Sequence, residues 1–143
     1  MDGVLVTALK RIPAPKGDVF WGMKSSDQGY AGFGEAYFSA VDGGAVKGWR
    51  RHNRMTLNFV VPCGEVQVSI VNQASGDRLS VRLGPHDATT YCRLTIAPGL
   101  WVAFGGLSQG LNLILNLANL PHDPAEADNV PIDAFPWTWE RER

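Results

Sequence analysis

From Lys47 to Arg54 the sequence reads Lys-Gly-Trp-Arg-Arg-His-Asn-Arg, four cationic side chains and one histidine within eight residues. The whole chain is near neutral, 13 Lys+Arg against 14 Asp+Glu for a formal charge of −1, so this concentration is local. A guanidinium donates hydrogen bonds in a planar fork that matches phosphate oxygens, and Lys47, Arg50 and Arg54 are accordingly candidate ligands for a phosphate or pyrophosphate. Taken alone, the same run would also describe a solvated strand end. His52 is the candidate acid or base, because an unperturbed imidazole titrates near pH 6.5 and exchanges protons at neutral pH. His86, in Gly-Pro-His-Asp, and His122, in Leu-Pro-His-Asp-Pro, sit in turn contexts. No pair among the three histidines has metal-ligand spacing, and no metal site is expected. A glycine-rich phosphate loop, a GxSxG elbow and a Cys/His pairing are all missing from the sequence.

Aromatic and amide side chains supply further candidates. Tyr37, Trp49 and Trp101 fall in strand-like segments, where an aromatic either packs a core or stacks on a base or sugar at a cavity mouth. Asn58, Asn112 and Asn116 interrupt apolar strands. Pointing inward, each needs hydrogen-bond partners that a polar ligand could provide.

The elements that must position these residues read as strands. Val66, Val68 and Ile70 alternate with Gln67 and Ser69, and Leu79, Val81 and Leu83 alternate with Ser80 and Arg82 across the turn residues Ala74 to Asp77, which predicts a hairpin. Cys92, Leu94 and Ile96 alternate likewise, and Pro98-Gly99 predicts a second hairpin into Leu100 to Phe104. Leu111, Leu113, Leu115 and Leu117 share one strand face, with Asn112, Ile114, Asn116 and Ala118 on the other. Further strands are expected at 36–40, 46–49 and 56–61, the first two joined at Gly43-Gly44. No window carries a helical stripe. Residues 121–129 read as a loop or short helix, the aromatic tail Asp133 to Trp139 is expected to dock, and residues 140–143 to fray.

A chain of 143 residues with 45% apolar and 19% charged residues is expected to form one soluble domain around one core. Sixteen glycines and nine prolines predict many tight turns, and some eight short strands punctuated by them mean a sandwich, jelly roll or small barrel. Near-neutral charge argues against a nucleic-acid partner, and no apolar run reaches the length of a membrane span. A cytoplasmic location is the expectation, with Cys63 and Cys92 read as buried thiols.

The ordered motifs Phe33-Gly-Glu-Ala-Tyr-Phe-Ser39, Val46-Lys-Gly-Trp49, Pro62-Cys-Gly-Glu-Val66, Leu94-Thr-Ile-Ala-Pro-Gly99 and Trp137-Thr-Trp139 resemble the dTDP-4-dehydrorhamnose 3,5-epimerase family over roughly residues 30 to 139. The resemblance implies an all-β cupin, a double-stranded β-helix or jelly roll. It also implies a homodimer without cofactor or metal, acting on a dTDP-4-keto-6-deoxy sugar in bacterial surface-polysaccharide or deoxysugar biosynthesis. The family's Arg-Gly-x-His pattern falls on Lys47-Gly48-Trp49-Arg50, so Arg50 occupies the place of the base. His52 lies two residues on and would stand in for the base through a shifted or bulged strand end. Asp133 matches the aspartate that orients the base. Glu35, Tyr37, Lys47, Arg50, Arg54, Asn58, Trp101 and Asn116 make up the candidate substrate-binding set. The family's second histidine falls on Val102, and its acid tyrosine falls near Leu115 or Asn116. Two functions follow: a nucleotide-sugar epimerase or isomerase using His52, or a noncatalytic sugar-nucleotide-binding cupin that keeps the cations and moves no proton; a metal-dependent cupin enzyme is a weaker third.

Overall fold

The computed structural model describes residues 1–140. Its strands are β1 (Val4–Ala8), β2 (Arg11–Ile12), β3 (Val19–Phe20), β4 (Glu35–Asp42), β5 (Val46–His52), β6 (Leu57–Cys63), β7 (Val66–Val71), β8 (Arg78–Leu83), β9 (Cys92–Ile96), β10 (Trp101–Gly106), β11 (Leu111–Ala118) and β12 (Ala127–Asn129). Two 3₁₀ turns, Pro124–Glu126 and Ile132–Ala134, flank β12, and no α-helix occurs among the described residues. Each of the eight strands expected from the alternation is present. The fraying expected for the chain end lies, from residue 141 on, outside the described residues.

One antiparallel sheet runs β1-β9-β6-β11-β4 and a second runs β12-β5-β10-β7-β8, with β2-β3 as a separate hairpin. The two five-stranded sheets face each other as a cupin jelly roll. Alternation turns Leu57, Phe59, Leu94, Ile96 and Ile114 from the first sheet against Val66, Val68, Ile70 and Val102 from the second, and these form the core. The β7-β8 hairpin forms as expected. The second hairpin does not. β9 pairs with β1 and β6 while β10 pairs with β5 and β7, so Pro98-Gly99 carries the chain from one sheet to the other. Period-two patterning is identical in the two cases, because it reports a buried face and not which strand lies alongside. Gly99, at φ 90°, donates its N–H to the His52 carbonyl at 2.7 Å and ties this crossover to the end of β5.

Asn112 proves to be structural. Its Oδ1 accepts the N–H groups of Glu65 (2.8 Å) and Ser108 (3.2 Å) while its amide donates to the Val41 and Ser108 carbonyls, so its hydrogen-bonding capacity is filled by turns. Cys92 is buried, and burial pushes its thiol up from the ordinary value. Cys63 is exposed, contrary to expectation, because β6 leaves the core after Val61. Arg93 is fully buried between the sheet and residues 22–28, donating to the carbonyls of Gly22 (2.8 Å) and Gln28 (3.1 Å) and to Asp27 (3.2 Å), which pins that loop across the first sheet.

The aromatic tail docks, and it docks outside the barrel. Trp49 and Trp101 project from the outer face of the second sheet, where Phe135, Trp137 and Trp139 pack on Trp49 at centroid distances of 5.3, 5.6 and 6.4 Å. The Trp49 indole N–H donates to the Ile132 carbonyl at 3.1 Å, and its backbone exchanges hydrogen bonds with Val130. These contacts hold β12 against β5.

Candidate active site

β5 carries the site, and a bulge decides what it presents. Against β10, Val102 pairs with Arg50 and Phe104 with Lys47, so one residue of β10 opposes Gly48 and Trp49 together. A bulge of this kind turns both extra residues to one side. A Cβ on Gly48 would meet Ala103 Cβ and Ile132 Cδ1 at 2.7 Å, which places Gly48 on the outer face with Trp49. Lys47 and Arg50 therefore both face inward although three residues apart. His52 joins them by ordinary alternation from Arg50, and the displaced strand end considered from sequence is not needed: the bulge brings in Lys47 instead.

These three side chains line a cavity of about 280 Å³ between the sheets, together with Tyr37 and Ser39 from β4, Asn116 from β11 and Asn129 from β12. Leu57, Phe59, Val102, Phe104 and Ile114 and the backbone of Gly48 complete the lining, with Phe59 set edge-on to Phe104. An apolar interior with a few convergent polar groups is the usual form of a small-molecule site.

Behind His52 lies Glu126, 4% exposed, at the end of the first 3₁₀ turn. Asp123 caps that turn by accepting the Ala125 N–H (3.0 Å), and Pro124 begins it. Glu126 Oε2 accepts the N–H groups of Asn53 (3.2 Å), Arg54 (3.0 Å) and Met55 (3.2 Å), while Oε1 meets His52 Nδ1. Burial pushes this carboxyl up, but the bonds from His52, Arg54 and Met55, together with the attraction of the imidazole when it is protonated, outweigh it and hold the group below its ordinary value. An ionised carboxylate can only accept, so Nδ1 carries the hydrogen, and in the neutral imidazole Nε2 is the nitrogen that holds the lone pair. Nε2 has no hydrogen-bond partner among the described residues, and it is the ring nitrogen left for the cavity that His52 lines. A neutral imidazole fixed in this tautomer is a proton acceptor in waiting.

Across the cavity, Asn116 donates to Tyr37 Oη at 3.0 Å and accepts the Asn58 N–H at 3.1 Å. On the β5 side, Arg50 Nε donates to Asn129 Oδ1 at 3.1 Å. Arg51 is paired with Asp128 and Arg54 with Asp123, whereas no carboxylate among the described residues pairs with Lys47 or Arg50. Two cations facing inward without counter-ions make the cavity attractive to an anion.

Of the residues singled out from the sequence, His52, Tyr37, Lys47, Arg50 and Asn116 meet at this cavity. The others do not. Asp133 is an exposed residue of the second 3₁₀ turn, and the carboxylate on His52 is Glu126. Arg54 lies on the surface in its pair with Asp123. Trp101 faces the tail, because alternation along β10 gives the inner face to Val102 and Phe104. Asn58 is buried with its side chain bonded to Thr95 and to the Gly29 carbonyl, and Glu35, at the start of β4, is outside the lining. Glu126 and Asn129 were missed because neither β12 nor its preceding turn shows any periodicity. The Asp-Pro-Ala-Glu capping pattern was the one available sign. Among the described residues no three His, Cys, Asp or Glu side chains converge as a metal-ligand group, and no helix is long and apolar enough to cross a membrane.

No protein-family model matches the chain, and no curated protein matches it. Solved structures do. A 4-keto-6-deoxy sugar epimerase from Streptomyces spheroides superposes at a TM-score of 0.81 with 17% identity, covering 99% of this chain and 78% of that one. A sugar 3,4-ketoisomerase from Thermoanaerobacterium thermosaccharolyticum, in complex with TDP-4-keto-6-deoxyglucose, superposes at 0.76 with 17% identity, covering 90% and 88%. At such identities the likeness is one of fold. A dTDP sugar isomerase from Desulfovibrio desulfuricans superposes at 0.90 with 33% identity, covering 96% of this chain and 91% of that one. With that identity sustained over nearly its whole length, the chain belongs to the cupin family of dTDP-sugar isomerases.

Proposed function

We propose that the protein is a nucleotide-sugar isomerase or epimerase that enolises a dTDP-4-keto-6-deoxy sugar. The observation that carries this reading is the His52–Glu126 pair, whose free Nε2 belongs to a cavity with two uncompensated cations. The sugar enters the cavity with its diphosphate held by Lys47 and Arg50. Nε2 of His52 removes a proton from the carbon beside the ketone, and that C–H electron pair becomes the enolate double bond as the carbonyl pair moves to oxygen. Glu126 stabilises the resulting imidazolium. The Tyr37 hydroxyl, on the facing sheet, donates to the developing oxyanion. Return of the proton by His52 to the neighbouring carbon, with the enediol hydrogen relocated, gives a keto-isomerised product. Protonation of the same carbon from the opposite face by the Tyr37 hydroxyl gives an epimer, after which solvent takes the proton from His52 and restores the one lost by Tyr37. Asn129 fixes Arg50, and the apolar lining holds the sugar's methyl group.

The reaction belongs to bacterial surface-polysaccharide or deoxysugar biosynthesis in the cytoplasm. A homodimer fits the outer face of the first sheet, where Phe33, Phe38 and Leu111 are 66%, 60% and 53% exposed beside the edge strand β4.

The test is incubation with dTDP-4-keto-6-deoxyglucose in deuterated water, following deuterium at carbons 3 and 5 and the position of the ketone by NMR. Uptake in the parent protein and none in His52→Ala is the expected result. Ligand broadening without uptake would replace this reading with the noncatalytic binding cupin.

A further inference from the structure

The amide of Asn116 is 1% exposed and lies between two strands, with β6 on one side and β4 on the other. Its two ends are chemically distinct, and the neighbours decide which faces which. On the β6 side stands the backbone N–H of Asn58, 3.1 Å from Oδ1. A backbone N–H can only donate, so the oxygen belongs there. The NH₂ end is thereby turned toward β4, where it meets Tyr37 Oη at 3.0 Å. An amide NH₂ also can only donate. The phenolic oxygen must accept along this line, so its own hydrogen points away from Asn116, and Tyr37 lines the cavity.

We propose that Asn116 is a positioning residue that sets the direction of the Tyr37 hydroxyl, delivering it to the cavity as a donor. The inference rests on the reading of the cavity as an enolisation site, and it changes the part assigned to Asn116 from touching substrate to acting through Tyr37. Register supports it: Asn116 pairs directly with Tyr37 on one side and with Phe59, next to Asn58, on the other. Asn58 is itself immobilised, its side chain donating to the Gly29 carbonyl (3.1 Å) and accepting from Thr95 (2.6 Å), so the N–H that orients the amide is fixed. A donor preset toward a developing oxyanion needs no reorientation during the reaction, which is where such a group has its effect.

Asparagine and aspartate have the same shape but opposite hydrogen-bonding character at the Tyr37 end. In Asn116→Asp both carboxylate oxygens accept, one from Asn58 and the other from Tyr37, and the phenolic hydrogen turns back from the cavity. Deuterium uptake in Asn116→Asp should fall in kcat on the order of 10²-fold, the scale for one lost oxyanion donor. Tyr37→Phe should lose a similar factor, and the double variant should be no slower in kcat than Tyr37→Phe alone. Losses that multiply in the double variant would overturn the proposal, because residues acting through one another are non-additive and independent ones are not. A second arm needs no turnover. In ¹⁵N-labelled protein the Asn116 side-chain amide signals should shift when Tyr37 becomes Phe, and unmoved signals would overturn the hydrogen bond itself. Absence of uptake in the parent protein counts against the enolisation reading, and the amide arm then still decides the orientation.

Discussion

Replacing Glu126 by glutamine tests the His52 assignment most sharply, because the change should spare the fold and disable the base. The three N–H groups of Asn53, Arg54 and Met55 demand an acceptor, so the glutamine must place its Oε1 on them. Its NH₂ group then faces His52 Nδ1 and donates. The imidazole can answer only by accepting at Nδ1, which puts its hydrogen on Nε2. The atom offered to the cavity changes from a proton acceptor to a donor. Charge-assisted bonds are worth about 1 kcal/mol more than neutral ones, and four are weakened, but the burial cost of the charge disappears with them. A net loss of about 2 kcal/mol is expected, within the roughly 5–15 kcal/mol that keeps a domain folded. The rate of deuterium uptake, by contrast, should fall by roughly 10²- to 10⁴-fold, the range for losing a correctly held general base. Uptake by NMR, denaturant unfolding and the ¹⁵N shifts of the His52 ring measure the three effects separately. Uptake within threefold of the parent in a variant whose ring has exchanged tautomer would refute the assignment of Nε2 as the base.

Further outcomes follow from the same contacts. Lys47→Ala and Arg50→Ala should each weaken dTDP binding about 10- to 100-fold by calorimetry, the scale of a lost charge-assisted contact of about 1.5–3 kcal/mol. Arg54→Ala and Asp133→Ala, changed outside the cavity, should leave both binding and uptake unaltered; a tenfold loss in either would show that the site extends beyond the lining described. Because the Glu126 carboxyl is held below its ordinary value, about 4.3 for glutamate, its contribution to stability is present above that pH and lost as pH falls through the folded value. The stability gap between the parent and Glu126→Gln should therefore be widest above about pH 5 and close toward pH 3, which urea unfolding at several pH values reads directly. Trp137→Ala should cost about 2 kcal/mol in thermal unfolding, since it removes a half-buried indole from the Trp49 cluster and its hydrogen bond to Ser80.

The strands that build the two sheets were legible because a strand with one buried face writes its burial as period two. Val66 to Ile70 and Leu111 to Ala118 show this directly. Pairing was less so. Leu94 and Val102 carry the same pattern whether their strands are neighbours or, as here, lie in facing sheets. At the site, the five residues that converge were found by chemical type. Trp101 and Arg54 were wrongly included for the same reason, since type does not reveal which face alternation assigns. Asp133 was chosen by alignment to a pattern, while Glu126 reaches His52 from 74 positions away through a three-residue strand without periodicity. The outward turn of Gly48 and Trp49 likewise depends on the partner strand, which sequence order does not name.

The span of these contacts along the chain also bears on how the protein comes to be active. His52 and Glu126 are 74 residues apart and Tyr37 and Asn116 are 79 apart, so each of these two pairs closes a loop of more than half the chain. Long loops are entropically costly to close and form late, after local hairpins such as β7-β8 have supplied a surface to dock on. Glu126 arrives with β12, which among the described residues has only β5 to pair with and depends on the packing of the aromatic tail over Trp49. During refolding from denaturant, recovery of enolising activity should accordingly trail recovery of strand content and coincide with the burial of Trp49, making the indole fluorescence of that cluster a clock for completion of the catalytic pair.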